Sequence, residues 1–239
     1  MKLLKNDLIA DTEEYKGENN NSHALKVEKL STQPSMVSFI IDLPNICTLC
    51  GLLCAFLGIY FAIQGNIHFA VIGGLWAVLF DWLDGLIASK MKGRTHGDRA
   101  FGGQLDSIID IVSFGVLPAI ILLSYTNYSL WSIPVGFAII AACAIRLSYF
   151  NVYGLTGGKT YTGLAVDYNG LIVSFAFLFE SFFNKTSFSI GLTILLMVVV
   201  ALNLASIQIP KFSKKWLFGI AAYVIGMTIY LGRMQLYSN

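Results

Sequence analysis

The sequence predicts an all-α fold: a polytopic transmembrane helical bundle of six to seven helices with a short polar N-terminal segment. Three observations predict it. Hydrophobic residues make up 56% and charged residues 13% of the 239 positions, against roughly 45–50% and about 25% in soluble domains. So few charges could not cover the surface of a water-soluble globule, and the mean hydropathy of +0.67 excludes a disordered chain as well. From residue 43 the chain is a series of apolar stretches, each near the roughly 20 residues a bilayer helix needs. Finally, the basic residues between those stretches fall on alternate links, the asymmetry that sets membrane orientation.

Residues 1–42 form the polar N-terminal segment. Up to residue 38 it carries five lysines, six acids and the run Glu18-Asn-Asn-Asn-Ser22. It contains no apolar stretch long enough for a signal-peptide core, so it reads as a soluble, partly flexible cytoplasmic tail with a short surface helix near 36–41. Residues 43–239 form the membrane domain. Its candidate spans are 43–64, 67–89, 105–125, 130–152, 164–183, 188–208 and 214–232; Asp167, Asn169 and Glu180 interrupt the fifth. Unbroken apolar runs lack the alternation of membrane strands, so the spans are helices and not a barrel.

Lys90, Lys92, Arg94 and Arg99 follow the second span, Lys159 the fourth, and Lys211, Lys214 and Lys215 the sixth; the opposite links hold only Lys185, with Arg233 near the C-terminus. The excess puts the tail and the second, fourth and sixth links in the cytoplasm. A net charge of +2 is too small to suggest nucleic-acid binding. Cys47 and Cys50 form a C-x-x-C, but with Cys54 they recur at i, i+3, i+7 in an apolar run, as small packing residues would. Glu180 and Lys185 are close enough in sequence to pair near the outer face, while His23, His68 and His96 read as isolated surface or interfacial residues.

A charge at mid-bilayer costs ~2.5–3.5 kcal/mol on insertion scales, so intramembrane acids are functional candidates. Four of the fourteen acids lie at the cytoplasmic ends of the second and third spans, in Phe80-Asp-Trp-Leu-Asp-Gly-Leu-Ile-Ala88 and Gly102-Gly-Gln-Leu-Asp-Ser-Ile-Ile-Asp110. Asp81 and Asp84, three apart, share one helix face, as do Asp106 and Asp110, four apart. Antiparallel helices would bring all four together without a Lys or Arg beside them. Divalent metal is the natural compensation, with hard Mg²⁺ or Mn²⁺ suited to carboxylate oxygen. The absence of His and Cys argues against zinc, and such a site at a membrane face suggests chemistry on phosphate. Gly85 and Gly102 would let a ligand approach the backbone. The alternative is that the acids cap helix ends and the glycines serve helix packing.

The pattern Asp81-x-x-Asp84-Gly85-x-x-Ala88 … Gly102-x-x-x-Asp106-x-x-x-Asp110 resembles the signature of the CDP-alcohol phosphatidyltransferase family, integral membrane enzymes that join a CDP-linked group to an alcohol and release CMP. The resemblance implies that Asp81, Asp84, Asp106 and Asp110 hold two Mg²⁺ or Mn²⁺ ions. It implies CDP contacts from Asn45, Thr48, Asp81, Asp84, Gly85, Ala88, Gly102 and Asp106, and a general-base role for Asp110. It also implies direct transfer without a covalent enzyme intermediate, and a homodimer. The run Leu105–Ala119, with Ser113-Phe-Gly-Val-Leu-Pro-Ala119, is similar to the phosphatidylserine synthase branch, and so is Arg146-Leu-Ser-Tyr-Phe-Asn151. Pro44-Asn-Ile-Cys-Thr48 resembles the family's first-helix opening. This branch implies transfer of a phosphatidyl group from CDP-diacylglycerol to L-serine at the cytoplasmic face of a bacterial inner membrane.

Three features depart from that pattern. Ser89 follows Ala88 where the family has arginine, which leaves Lys90, Lys92 or Arg94 to meet the CDP phosphates. The link from 89 to 102 is longer than usual and reads as a cytoplasmic lid or a plain solvated loop. After Tyr161-Thr-Gly-Leu164 the branch's Pro-x-Pro is replaced by Ala165-Val-Asp-Tyr-Asn-Gly170. The acceptor site therefore stays open around Arg146, Tyr161 and Asp167. Arg146 suits a serine carboxylate or a lipid phosphate. Tyr149, Tyr153, Tyr161 and Tyr168 around Asp167 suit either a choline pocket or a membrane-interface belt. Serine leads choline, and glycerol 3-phosphate or an inositol compound would need the same chemistry. An ion-coupled transporter is the non-enzyme alternative, although its acids would sit nearer the midplane.

Overall fold

A computed structural model describes residues 35–154, 160–210 and 216–237. The tail before residue 35, Lys159 and the basic link 211–215 lie outside the described residues, so the expected flexible tail and that part of the charge asymmetry are not addressed. The chain divides after Phe39, and all the longer helices belong to the unit from Ile40 onward. A short helix, α1 (Met36–Ile40), is followed by α2 (Leu43–Ile63), α3 (Ile67–Lys90), α4 (His96–Asp110), a π-helical turn (Ile111–Val116) and α5 (Leu117–Tyr125). Next come α6 (Ser132–Tyr153), β1 (Thr160–Thr162), α7 (Asp167–Ala176) with a 3₁₀ turn (Phe177–Phe182), α8 (Lys185–Leu204), β2 (Gln208–Pro210) and α9 (Trp216–Tyr237).

Among the described residues six helical stretches are long and apolar enough to cross a membrane: α2, α3, the continuous helix from α4 through α5, α6, α8 and α9. The chain is a multi-pass membrane protein. Its packing is that of a protein in lipid. On α2 the buried residues are all small or polar, including Gly51, Ala55, Gly58 and Ala62, while Leu53, Phe56, Tyr60 and Ile63 face outward. Lipid offers large side chains as good an environment as the interior, so contacts select small residues that bring backbones together. A Cβ on Gly73 would lie 2.7 Å from the Cys54 carbonyl oxygen and 2.8 Å from the Gly58 Cα. Gly73 is thus used within the chain, where α2 and α3 meet backbone to backbone. The free cysteines fit the packing role: Cys47 is buried and Cys50 and Cys54 are half-buried on this helix.

The fifth expected span differs from the others. It is broken into α7 and the 3₁₀ turn, ten and six residues long, too short to qualify by length alone. Its ends show what it does. Trp82 Nε1 donates to Asp167 Oδ2 at 2.8 Å, and Glu180 Oε2 meets His68 Nε2 at 2.7 Å. His68 and Trp82 are fourteen residues apart on α3, about 21 Å along its axis. The broken segment therefore runs antiparallel to α3 over nearly the same depth. Glu180 pairs with His68 and not with Lys185, whose Nζ instead lies 3.4 Å from Asn127 Oδ1 and over the Tyr125 ring. The expected Glu180–Lys185 pair and the isolated His68 are both corrected by this arrangement.

Much of the expected polar link is helical. Helix α3 continues to Lys90, and α4 starts at His96 because Thr95 and Asp98 form a capping box: Asp98 N–H donates to Thr95 Oγ1 at 3.1 Å and Thr95 N–H to Asp98 Oδ2 at 2.8 Å. Only residues 91–95 connect the two helices, so no long lid exists there.

Candidate active site

The acids converge at the end of the bundle where α3 passes into α4. One carboxylate oxygen from each of Asp81, Asp84 and Asp106 lies within 4.8 Å of the others. The i, i+3 spacing on α3 turns Asp81 and Asp84 to one face, and the four-residue spacing on α4 does the same for Asp106 and Asp110. Asp110 is within hydrogen-bonding reach of Asp81. Asp84 Oδ2 accepts from Thr48 Oγ1 at 2.5 Å, whereas Asp106 Oδ1 is buried with no hydrogen-bond partner among the described residues. An orphaned buried carboxylate oxygen within a converging set of hard oxygen donors fits a divalent cation of the Mg²⁺ or Mn²⁺ kind. Any such ion would be held by Asp81, Asp84 and Asp106, with Asp110 beside them.

Two hollows meet at this cluster. A cavity of about 370 Å³ is lined by Asp81, Asp84, Asp106 and Asp110 together with Arg146, Phe150, Tyr161 and Asp167. A cleft of about 410 Å³ is lined by Asn45, Thr48, Ala88, Arg94, Arg99 and Gly102. Asp84, Gly85, Gly103 and Asp106 border both. The expected CDP contacts thus gather in the cleft, except Asp81, which lines the cavity; the expected acceptor residues Arg146, Tyr161 and Asp167 gather in the cavity. Gly85 opens on space, with nothing within 4 Å of an added Cβ.

Of the basic residues that could compensate for Ser89, Arg94 lines the cleft, while Lys90 and Lys92 are exposed outside it. Arg94 Nη2 is held by Asp42 Oδ2 at 2.6 Å and by the Asp98 carbonyl at 3.2 Å. Its buried Nε has no partner among the described residues, which leaves a donor for an anion. Arg99, on the first turn of α4, is a second cation there.

Arg146 is 7% exposed. Its guanidinium lies 5.2 Å from the Phe150 ring and 5.3 Å from the Tyr161 ring, and its Nε is buried without a partner among the described residues. The expected tyrosine group is split. Arg146 and Phe150 line the cavity, whereas Tyr149 and Tyr153 are 46% and 69% exposed and stack on each other at 4.6 Å outside it. Only Tyr161 and Tyr168 reach the cavity. Burial pushes the Tyr161 phenol above its usual pKa, so it stays neutral.

The site also rests on residues that spacing did not flag. A π-helical turn begins directly after Asp110, a distortion that often marks functional sites. Pro118 has no N–H to donate to Phe114, four residues back, and Asn169 Nδ2 donates to that carbonyl instead, at 3.2 Å. Asn169 Oδ1 in turn accepts from Asn203 Nδ2 at 3.1 Å. Ser107 and Asn151 hydrogen-bond at 3.0 Å and tie α4 to α6. Asn169→Leu is expected to cost about 1–3 kcal/mol for the stranded carbonyl, read as a lower Tm in detergent. An unchanged Tm would mean that the carbonyl has another partner.

Likeness to known proteins bears on the site. A family model described as CDP-alcohol phosphatidyltransferase matches residues 41–228. The chain is 36% identical over 179 residues to an archaetidylserine synthase of Methanothermobacter thermautotrophicus, covering 73% of this chain and 72% of that protein. It is 32% identical over 157 residues to a CDP-diacylglycerol–serine O-phosphatidyltransferase of Methanocaldococcus jannaschii, covering 65% and 68% respectively. A Bacillus subtilis protein of the same name is 29% identical over 177 residues, 72% of this chain and 92% of its own length.

Proposed function

The chain belongs to the CDP-alcohol phosphatidyltransferase family, and from that premise we propose that it transfers a phosphatidyl group from CDP-diacylglycerol to the hydroxyl of L-serine, forming phosphatidylserine and CMP. The observation that carries this proposal is the meeting of two hollows at one acid cluster, a cleft with two arginines and a cavity with a buried arginine lacking a hydrogen-bond partner among the described residues. The similarity to serine-transferring relatives supports serine over choline, as does the loss of Tyr149 and Tyr153 from the cavity.

Asn45, Thr48, Arg94 and Arg99 bind the cytidine diphosphate in the cleft, and Gly85 and Gly102 leave room for it. In the cavity Arg146 holds the serine carboxylate, charge to charge, where low polarity strengthens the contact. Asp110 accepts the hydroxyl proton as the serine oxygen bonds to the phosphorus that bears the lipid. The bond from that phosphorus to the oxygen it shares with CMP breaks, and CMP leaves with that oxygen. Two Mg²⁺ or Mn²⁺ ions at Asp81, Asp84, Asp106 and Asp110 would neutralise charge on the diphosphate. The basic residues Lys90, Lys92, Arg94 and Arg99 at this end support a cytoplasmic orientation of the site in the cell membrane, with the segment 1–42 on the same side. Residues 43–239 form the catalytic domain, and the family resemblance extends the proposal to a homodimer, which mass measurement in detergent tests.

The direct experiment is CMP release by the purified protein with CDP-diacylglycerol and Mg²⁺ or Mn²⁺, with L-serine, choline, glycerol 3-phosphate and inositol as parallel acceptors. Serine-dependent release is expected; release with choline alone would overturn the acceptor assignment. The archaetidylserine synthase similarity supports a second donor, an archaetidyl in place of a phosphatidyl group, so a CDP-archaeol arm belongs in the assay. Gly102→Ala provides a test of the cleft. Its Cβ would sit 2.9 Å from Arg94 Nη2 and 3.1 Å from Asn45 Oδ1. Displacing Arg94 should raise the CDP-lipid KM by about tenfold, the scale of one charge-assisted hydrogen bond, and leave the serine KM unchanged. An unchanged CDP-lipid KM would remove Arg94 from the nucleotide site.

A further inference from the structure

Asp167 lines the cavity and is near enough to Asp81, Asp106 and Asp110 for their charges to interact, but it is not among the three acids whose oxygens converge within 4.8 Å, and no step above uses it. It opens α7 and is firmly held. Trp82 Nε1 donates to its Oδ2 at 2.8 Å, and its place in the first turn of the helix, where backbone N–H groups lack helical partners, favours an anion. Asp167 is near enough to Arg146 for their charges to interact, yet the ion pairs among the described residues are His68–Glu180 and Arg94–Asp42. The two opposite charges line one cavity without closing on each other. Each has its own anchor, the Trp82 indole for the acid and the Phe150 and Tyr161 rings for the guanidinium. Tyr161, whose hydroxyl feels both charges, belongs to the same pocket.

A half-buried anion and a buried cation held apart beside a cavity are complementary to a small molecule that carries both charges. Resting on the serine-transfer assignment, we propose that Asp167 binds the ammonium group of the acceptor, so that the site selects an α-amino acid, gripped by its carboxylate at Arg146 and its ammonium at Asp167. The third substituent, the side-chain hydroxyl, is then the group left to face the acid cluster. An amino alcohol without a carboxylate leaves Arg146 unpaired in a buried site, and a hydroxy acid without an amine leaves Asp167 unpaired. Each omission costs affinity because the stranded charge is at least partly shielded from water. A polyol satisfies neither group.

The test uses the purified full chain with saturating CDP-diacylglycerol and divalent ion, and compares L-serine, ethanolamine and 3-hydroxypropanoate as acceptors. Asp167→Asn should raise the L-serine KM by about 10- to 100-fold, the scale of a lost hydrogen bond to a charged group. The CDP-diacylglycerol KM should stay within about twofold, as should kcat, a split that general damage to the fold would not give. The preference for L-serine over 3-hydroxypropanoate should shrink in Asp167→Asn, and that over ethanolamine in Arg146→Gln. An unchanged L-serine KM, or a fall in kcat alone, would overturn the role of Asp167. If Asp167→Asn is recovered misfolded, Trp82→Phe, which removes the indole hydrogen bond and keeps an aromatic ring, should raise the L-serine KM by several-fold, and no change there would overturn the proposal equally. Absence of serine-dependent CMP release from the unmodified protein would instead overturn the serine-transfer assignment itself.

Discussion

Asp110→Asn is expected to lower serine-dependent CMP release by about 10²–10⁴-fold in kcat, the usual contribution of a general base, while CDP-diacylglycerol still binds. The substitution keeps the size of the side chain and removes its capacity to take a proton. Asp110 is buried at the end of α4, beside Asp81, and lines the cavity but not the nucleotide cleft. Loss confined to kcat therefore follows from its place in the fold. Single-turnover kinetics would separate this from slow product release, and titration with CDP-diacylglycerol would give binding independently. Near-normal turnover would mean that another carboxylate on the cavity accepts the proton.

Asp106→Asn should abolish CMP release and, in the absence of divalent ions, make the protein more stable. Three carboxylate oxygens within 4.8 Å repel one another when no cation lies between them. Removing one charge relieves that repulsion, so the variant should melt above the unmodified protein in chelator, by about 2–4 °C for each kcal/mol relieved. The order should reverse on adding Mn²⁺. At about a hundred times its dissociation constant a bound ion contributes about 2.7 kcal/mol, a rise of roughly 5–10 °C that Asp106→Asn should not show. A lower melting point in chelator would give Asp106 a structural role. A preserved Mn²⁺ shift would place the ion elsewhere.

How legible these features were in the sequence depended on the range of the interactions that make them. Helical spans came from composition and length, because lipid-facing stretches must be apolar whatever their neighbours are. The grouping of Asp81 with Asp84 and of Asp106 with Asp110 follows from spacing along single helices, and the short connection at 91–95 brings the pairs together. Spacing does not separate the two readings of the tyrosines: Tyr149 and Tyr153, three and seven residues beyond Arg146, share its side of α6, yet both are exposed and stack on each other outside the cavity, as the interface reading has it. Glu180 and Lys185 likewise lie close in sequence, but the turn into α8 separates them, and His68, more than a hundred positions away, takes the acid. The capping box that starts α4 is written in Thr95-His-Gly-Asp98, among basic residues that mark the same link more prominently. Nothing local could identify Asn169 as the partner of the Phe114 carbonyl, although Pro118 shows that this carbonyl needs a donor from elsewhere. An asparagine within an apolar span was the available signal.

The central claim is that both substrates are present together, one in each hollow, and that the serine oxygen displaces CMP directly. Exchange of radiolabelled CMP into CDP-diacylglycerol, measured with Mn²⁺ and with serine omitted, tests this without depending on any variant. Direct displacement predicts no label in the lipid until serine is supplied, when labelled CMP enters only by reversal of the complete reaction. Rapid exchange without an acceptor would reveal a phosphatidyl group parked on the protein, and would contradict simultaneous binding at the shared acid cluster.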